Sequence, residues 1–193
     1  MSYADLLHDL DERLNQLSPQ RRAAVFWLVG TGLRRELDDS EGMEWKNWFE
    51  NASRLSVEFI LGGRCGDAVE RVLAEADNPA GDTASQLLNS AIICLSSSLE
   101  IALNPEREDG PWIEPAFFPI IQKVSLDMFE DVVFPGEDDE LEEVVADSRV
   151  QQAAAYCAEI CEKLYSESPL DRPMLDRLLD GADVLTGSSR KPR

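Results

Sequence analysis

The sequence predicts an all-α protein: a single domain over 1–185 folded as a helical bundle or array of about seven to nine helices, followed by a flexible basic tail over 186–193. Three observations carry that expectation. Apolar residues recur three and four positions apart in nearly every segment, as they must if one stripe of a 3.6-residue helix faces a core. No segment alternates apolar and polar residues over the length of a strand. The punctuation between segments (Ser18-Pro19, Gly62-Gly63, Asn78-Pro79, Asp171 with Pro173) is that of helix ends. With 193 residues, 44% of them hydrophobic, the chain can bury one sizeable core.

The elements follow in order. Leu6, Leu10, Leu14 and Leu17 stripe a first helix. Ser18 is placed to N-cap the second, with Pro19 in its first turn, and Phe26, Val29, Leu33 and Leu37 share a face. Gly30 and Gly32 each weaken that helix by about 1 kcal/mol relative to alanine, which points to close approach by another helix. After a break at 38–42, a third helix turns Trp45, Trp48, Phe49, Ala52, Leu55 and Phe59 inward and stops at Gly62-Gly63. A short fourth spans Asp67 to Ala76.

Asp82 is expected to cap the fifth helix. There Leu87, Leu88, Ala91, Ile92, Leu95, Leu99 and Ala102 form an apolar face broad enough for the most buried helix of the domain. Ser96, Ser97 and Ser98 are small enough to sit at a helix contact. Beyond a polar loop at 104–111, Pro111, Pro115 and Pro119 predict an irregular entry to a sixth helix reaching about Val133, which Phe134-Pro135-Gly136 ends. A brief acidic helix over 138–145 follows. Next is a long helix from about Ser148 to Ser166, with Val150, Ala154, Cys157, Cys161 and Leu164 inward. Asp171 caps a last helix running through Leu185.

Charge narrows the function. There are 38 acidic and 18 basic residues, a net charge of −20, and one histidine. A field of that sign attracts cationic partners and repels nucleic acid and anionic membrane. Ten carboxylates fall between Lys123 and Arg149, a stretch without a basic residue: Asp127, Glu130, Asp131, Glu137, Asp138, Asp139, Glu140, Glu142, Glu143 and Asp147. The stretch reads either as a solvated helix end and loop or as a docking surface for a basic protein. Trp45 or Trp48, if left exposed beside Glu41 and Glu44, would anchor an arginine-bearing partner, and Trp45 joins the candidate surface.

The chemistry-bearing motifs are missing. Gly136-Glu137-Asp138-Asp139-Glu140 lacks the ligand order of an EF-hand loop. His8 alone supplies neither an HExxH pair nor the Glu-x-x-His sets of a di-iron bundle. Gly62-Gly63-Arg64-Cys65-Gly66 has no following Gly-Lys-Ser/Thr, so it reads as a turn rather than a phosphate loop. Cys94, Cys157 and Cys161 lie in apolar patterns and read as small core residues, with Cys65 the exposed one. No cofactor or metal is expected. A hydrolase working through Glu114, Asp127 or Asp131 would need them to face a cleft with a raised pKa. The longest apolar run, Ala23 to Gly30, is short of the roughly 20 residues a membrane span needs. The N-terminus lacks the basic and apolar regions of a leader. A cytoplasmic protein is expected.

Leu17 to Gly32, Leu87 to Leu103 and Asp147 to Leu164 together resemble the YjaG-like family of bacterial all-helical proteins, over about residues 1–165. In place of that family's aromatic-proline corner the chain has Arg34-Arg35-Glu36-Leu37-Asp38. The resemblance implies a helical bundle and little about activity; the alternative reading it offers is a structural or regulatory module of unknown function, possible as a homodimer. In size, charge and lack of catalytic groups the chain is also similar in type to immunity proteins of bacterial toxin systems. Those occlude a basic toxin directly, and the likeness implies a non-enzymatic binding protein with a cationic partner.

Overall fold

The computed structural model describes residues 2–37, 43, 45–64, 66–76, 85–107, 110–129, 138–166 and 169–187, with 138 and 139 as backbone only. Among these residues the chain forms nine α-helices, two short 3-10 helices and no strand, so the all-α expectation holds. The helices are α1 (Tyr3–Asn15), α2 (Pro19–Arg34), α3 (Lys46–Ile60), α4 (Gly66–Ala76), α5 (Gln86–Leu103), α6 (Phe118–Phe129), α7 (Asp138–Ala146), α8 (Ser148–Ser166) and α9 (Arg172–Leu179). The 3-10 turns are Glu114–Ala116 and Ala182–Thr186.

α2 is the axis of the array. Every residue from Ala23 to Gly30 is buried, so this helix is apolar all round and enclosed by its neighbours. Its main partner is α5, and the two approach so closely that a Cβ at Gly30 would lie 2.8 Å from Cγ of Leu95 and 3.0 Å from its backbone N. Ser98 closes the same seam by donating its hydroxyl to the Ala23 carbonyl at 2.9 Å. A Cβ at Gly32 would lie 2.5 Å from that of Ala182, so the second glycine makes room for the final 3-10 turn. Both glycines thus sit where close approach demands them. The expectation that the fifth helix would be the most buried is corrected: α5 leaves Ile93 exposed, whereas α2 is covered on all sides in its middle two turns. By length and composition α5 could also cross a membrane, a property the run-length reading missed because Asn89 and Ser96–Ser98 interrupt it. Here its apolar residues form the protein core.

Most helix ends follow local rules. Ser2 and Asp5 form a reciprocal capping box on α1, each side chain accepting from the other's backbone N–H at 3.1 Å. Ser18 holds the N-cap position of α2, yet its hydroxyl makes no cap hydrogen bond, and Pro19 supplies the preset φ of the first turn. Gly62 takes a φ of 91° at the end of α3, the left-handed conformation that glycine adopts without steric cost. Ser85 caps α5 by accepting from Leu88 N–H at 3.1 Å; Asp82, expected in that role, lies outside the described residues. So do Cys65, Asn78-Pro79 and the segment from Glu130 to Glu137, including the expected end of the sixth helix.

The last helix is shorter than expected. Asp171 caps α9 as predicted, accepting from Met174 N–H at 2.8 Å, but the α-helix stops at Leu179. Tyr156 on α8 accounts for the stop: its hydroxyl donates to the Leu178 carbonyl at 3.0 Å, and its ring packs where a Cβ at Gly181 would sit. The folded part also runs past residue 185. Thr186 is buried, and Lys123 Nζ donates to the Thr186 and Gly187 carbonyls at 3.0 and 3.4 Å. Residues 188–193 of the expected tail lie outside the described residues.

Candidate functional site

The acidic stretch divides in two in the fold. α7 is pinned by Val144 and Val145, both fully buried, which turns Glu142 and Glu143 outward and leaves Glu140 half-buried. None of these three carboxylates meets a cation among the described residues. Asp138, Asp139 and Glu140 stand in the first turn of α7, where negative charge suits the helix dipole. Asp127 and Asp147 belong to a different structure. Arg149 reaches from the first turn of α8 to both: Nη1 bonds Asp127, while Nε and Nη2 form a fork on Asp147 at 2.9 and 3.1 Å. Asp147 also accepts the Arg149 backbone N–H at 2.8 Å and so caps α8. Hydrogen bonds from the Arg149 side chain, then its backbone N–H and its charge, hold the Asp147 carboxyl below its ordinary pKa despite partial burial.

Within the expected surface, Asp127 and Asp147 share Arg149 as an internal counter-ion, and Asp127 stays 56% exposed. Glu130, Asp131 and Glu137, with the side chains of Asp138 and Asp139, lie outside the described residues. The expectation of an exposed anchor at Trp45 is corrected. Trp45 is 9% exposed and packs edge-on against Trp48, which is itself buried and donates to the Val72 carbonyl, so neither indole is the exposed anchor. The carboxylates considered for hydrolysis are also apart in their surroundings. Asp127 is held by Arg149, Glu114 lies beside Tyr3 and Asp11, and Asp131 is outside the described residues.

The exposed tryptophan is Trp112, at 70%, in the loop between α5 and the first 3-10 turn. It borders a cleft of about 130 Å³ with Asp11 and Asn15 of α1, Arg22 of α2, and Gly110-Pro111. A narrower recess of about 10 Å³, the room of a single water, adjoins it and shares Arg22, Gly110 and Pro111. Arg22 links the two. Its Nε is buried and meets no acceptor among the described residues, and a methyl group at Gly110 would sit 3.4 Å from its Nη1. An unsatisfied buried donor costs on the order of 1–3 kcal/mol, and more when charged. Asp11 does not relieve it. One of its oxygens accepts the Ile113 N–H at 3.3 Å, and burial pushes its carboxyl above the ordinary range, with repulsion from Glu114 adding to the rise.

Sequence reasoning did not find this cleft, because it is assembled from α1, α2 and a loop some ninety positions further on. One signal was present: Trp112 lies between Pro111 and Pro115, where a regular helix cannot bury it.

Other chemistry is sparse. His8 is on the surface, 3.5 Å from Glu12. Cys94, Cys157 and Cys161 are buried; burial raises all three thiols, Cys94 and Cys161 to about 12. Among the described residues no group of three or more His, Cys, Asp or Glu is arranged to hold a metal ion. Comparison with family models, curated proteins and solved structures returns no match.

Proposed function

We propose that this chain is a non-enzymatic binding protein that docks a cationic partner protein on its acidic end, in the manner of the immunity proteins whose size and charge it shares. The observation that carries the reading is the fate of the two cations bracketing the acidic stretch. Lys123 is committed to the Thr186 and Gly187 carbonyls, and Arg149 to Asp127 and Asp147. The carboxylates of Glu140, Glu142 and Glu143 meet no cation among the described residues, on a helix whose Val144 and Val145 are fully buried. Elsewhere basic side chains are likewise turned to local partners: Arg13 to Asp9, Lys163 to Glu159, Arg172 to Asp176, Arg21 to the carbonyl end of α8. Among the described residues, Glu140, Glu142 and Glu143 have no internal counter-ion. A lysine- and arginine-rich surface would supply those counter-ions and be steered to them.

The test starts with capture of a partner from the native host at low ionic strength, followed by association kinetics. The association rate is expected to fall about tenfold or more from low to high salt, and to fall similarly at low salt when Glu140, Glu142 and Glu143 are all changed to Gln. Equal rates for the two proteins, unchanged by salt, overturn the proposal.

A further inference from the structure

We infer that residues 188–193 fold back onto the acidic end of their own chain, where Arg190, Lys191 and Arg193 pair with carboxylates of α7 and with Asp127, so that a cationic partner has to displace them. The inference rests on the reading of that end as the docking surface and adds its regulation. Two observations choose this segment. The first is an elimination. Glu140, Glu142 and Glu143 meet no cation among the described residues. Of the 18 lysines and arginines, only Arg190, Lys191 and Arg193 lie outside those residues. A further lysine or arginine of this chain for the three carboxylates can therefore come from this segment alone. The second observation is where the segment departs. Lys123 Nζ holds the Thr186 and Gly187 carbonyls at 3.0 and 3.4 Å. A Cβ on Gly187 would lie 3.6 Å from Arg149 Cδ. The chain thus leaves the fold at the two cations that bracket the acidic stretch.

Reach and charge both suit the contact. An extended chain covers about 3.3–3.6 Å per residue, so residues 188–193 span up to about 20 Å. α7 ends at Ala146, shortly before Arg149, which puts the Cα of Glu143 within about 17 Å of that of Arg149 whatever the intervening turn. Asp127 is nearer still, since it bonds Arg149 directly and remains 56% exposed. The local balance is negative: seven carboxylates at 127 and over 138–149 stand against two cations, Lys123 and Arg149. Three tethered positive charges reduce that excess without cancelling it. A short tether holds them at an effective concentration on the order of millimolar. Each exposed pair is weak and screened by salt, so the segment covers the surface yet gives way to a partner that carries more charge.

The first experiment is zero-length carbodiimide cross-linking of the whole chain, which joins a lysine amine to a carboxylate in contact with it. Mixing ordinary with isotope-labelled protein separates links within one chain from links between two. Lys191 is expected to link within its own chain to Glu140, Glu142, Glu143 or Asp127. The yield is expected to fall about fivefold or more between about 0.01 M and 1 M salt, as the screening length shortens from about 30 to about 3 Å. The second experiment is titration with an octalysine peptide at low salt. A variant with Arg190→Gln, Lys191→Gln and Arg193→Gln is expected to bind the peptide about three- to tenfold more tightly than the unaltered chain. A control of equal net charge removes three exposed cations of α3 and α4 instead, by Lys46→Gln, Arg54→Gln and Arg71→Gln, and is expected to gain about twofold at most. Absence of a link from Lys191, links only between chains, or links of Lys191 chiefly to other carboxylates would each overturn the inference. So would octalysine binding of equal strength in all three proteins, a result that leaves the docking reading standing. A link within the chain, with octalysine bound by none of the three, would uphold the contact and bring down the docking reading instead.

Discussion

Two arginines, Arg149 and Arg22, show what different neighbourhoods do to the same side chain. Arg149 is 30% exposed and paired: it holds two carboxylates and stands beside the helix cap that one of them forms. Arg22, four positions into α2, has its Nε buried without an acceptor among the described residues. The first arrangement closes a structural joint, since it ties α6 to the start of α8 and consumes the charge in doing so. The second leaves hydrogen-bonding capacity unspent inside the fold.

The contrast can be sharpened by altering the frame around each arginine. The largest effect is expected at the α2–α5 seam on which Arg22's helix is mounted. Gly30→Val drives a branched side chain into Leu95 and the Ala91 carbonyl, 3.2 Å from the new Cβ, and is expected to cost about 3 kcal/mol in denaturant unfolding. A loss below about 0.5 kcal/mol would mean the seam is loose.

At the Arg149 joint, Asp147→Ala removes both a cap and a partner of the fork, and should cost about 1–2 kcal/mol at neutral pH. Its pH dependence has a definite sign. Because the folded carboxyl sits below its ordinary 3.8, the contribution is present above that value and disappears as pH falls through the lower, folded value. Asp11 behaves oppositely. Its folded pKa is raised, so native stability falls as pH climbs from 3.8 through the raised value, and Asp11→Asn should relieve that loss at neutral pH. Urea midpoints measured from pH 3 to pH 7 on the two variants check both signs, and parallel curves would refute them.

The smallest effect concerns the thiols. Cys94, Cys157 and Cys161 should resist a disulfide reagent at pH 8 in the native protein and react only on unfolding, since burial holds them protonated. Prompt labelling of any of the three in the folded state would show that α8 or α5 opens locally.

The helices were legible because their cause is local: a stripe of leucines, a proline after a serine, a pair of glycines. Even the α2–α5 contact was signalled, since Gly30 in a helix interior is costly unless something lies against it. The C-terminal half of the last helix was not legible. Its end is dictated by Tyr156, which reaches across from α8 to take the Leu178 carbonyl. The acidic stretch was visible as composition, but not that Asp127 and Asp147 would share Arg149, because that pairing depends on how α6 meets α8. Trp45 and Trp112 both carry acidic neighbours in the chain. Only the packing of Trp45 against Trp48 and the proline-bounded loop under Trp112 decide which indole reaches water.

That last distinction has a practical side. Trp27, Trp45 and Trp48 are buried and Trp112 is not, so the molecule carries three dry fluorophores and one wet one. Blue-edge emission will report on melting of the interior, and red-edge emission and collisional quenching on the loop alone. The chain is its own two-colour sensor, and no dye need be attached to watch the two regions separately.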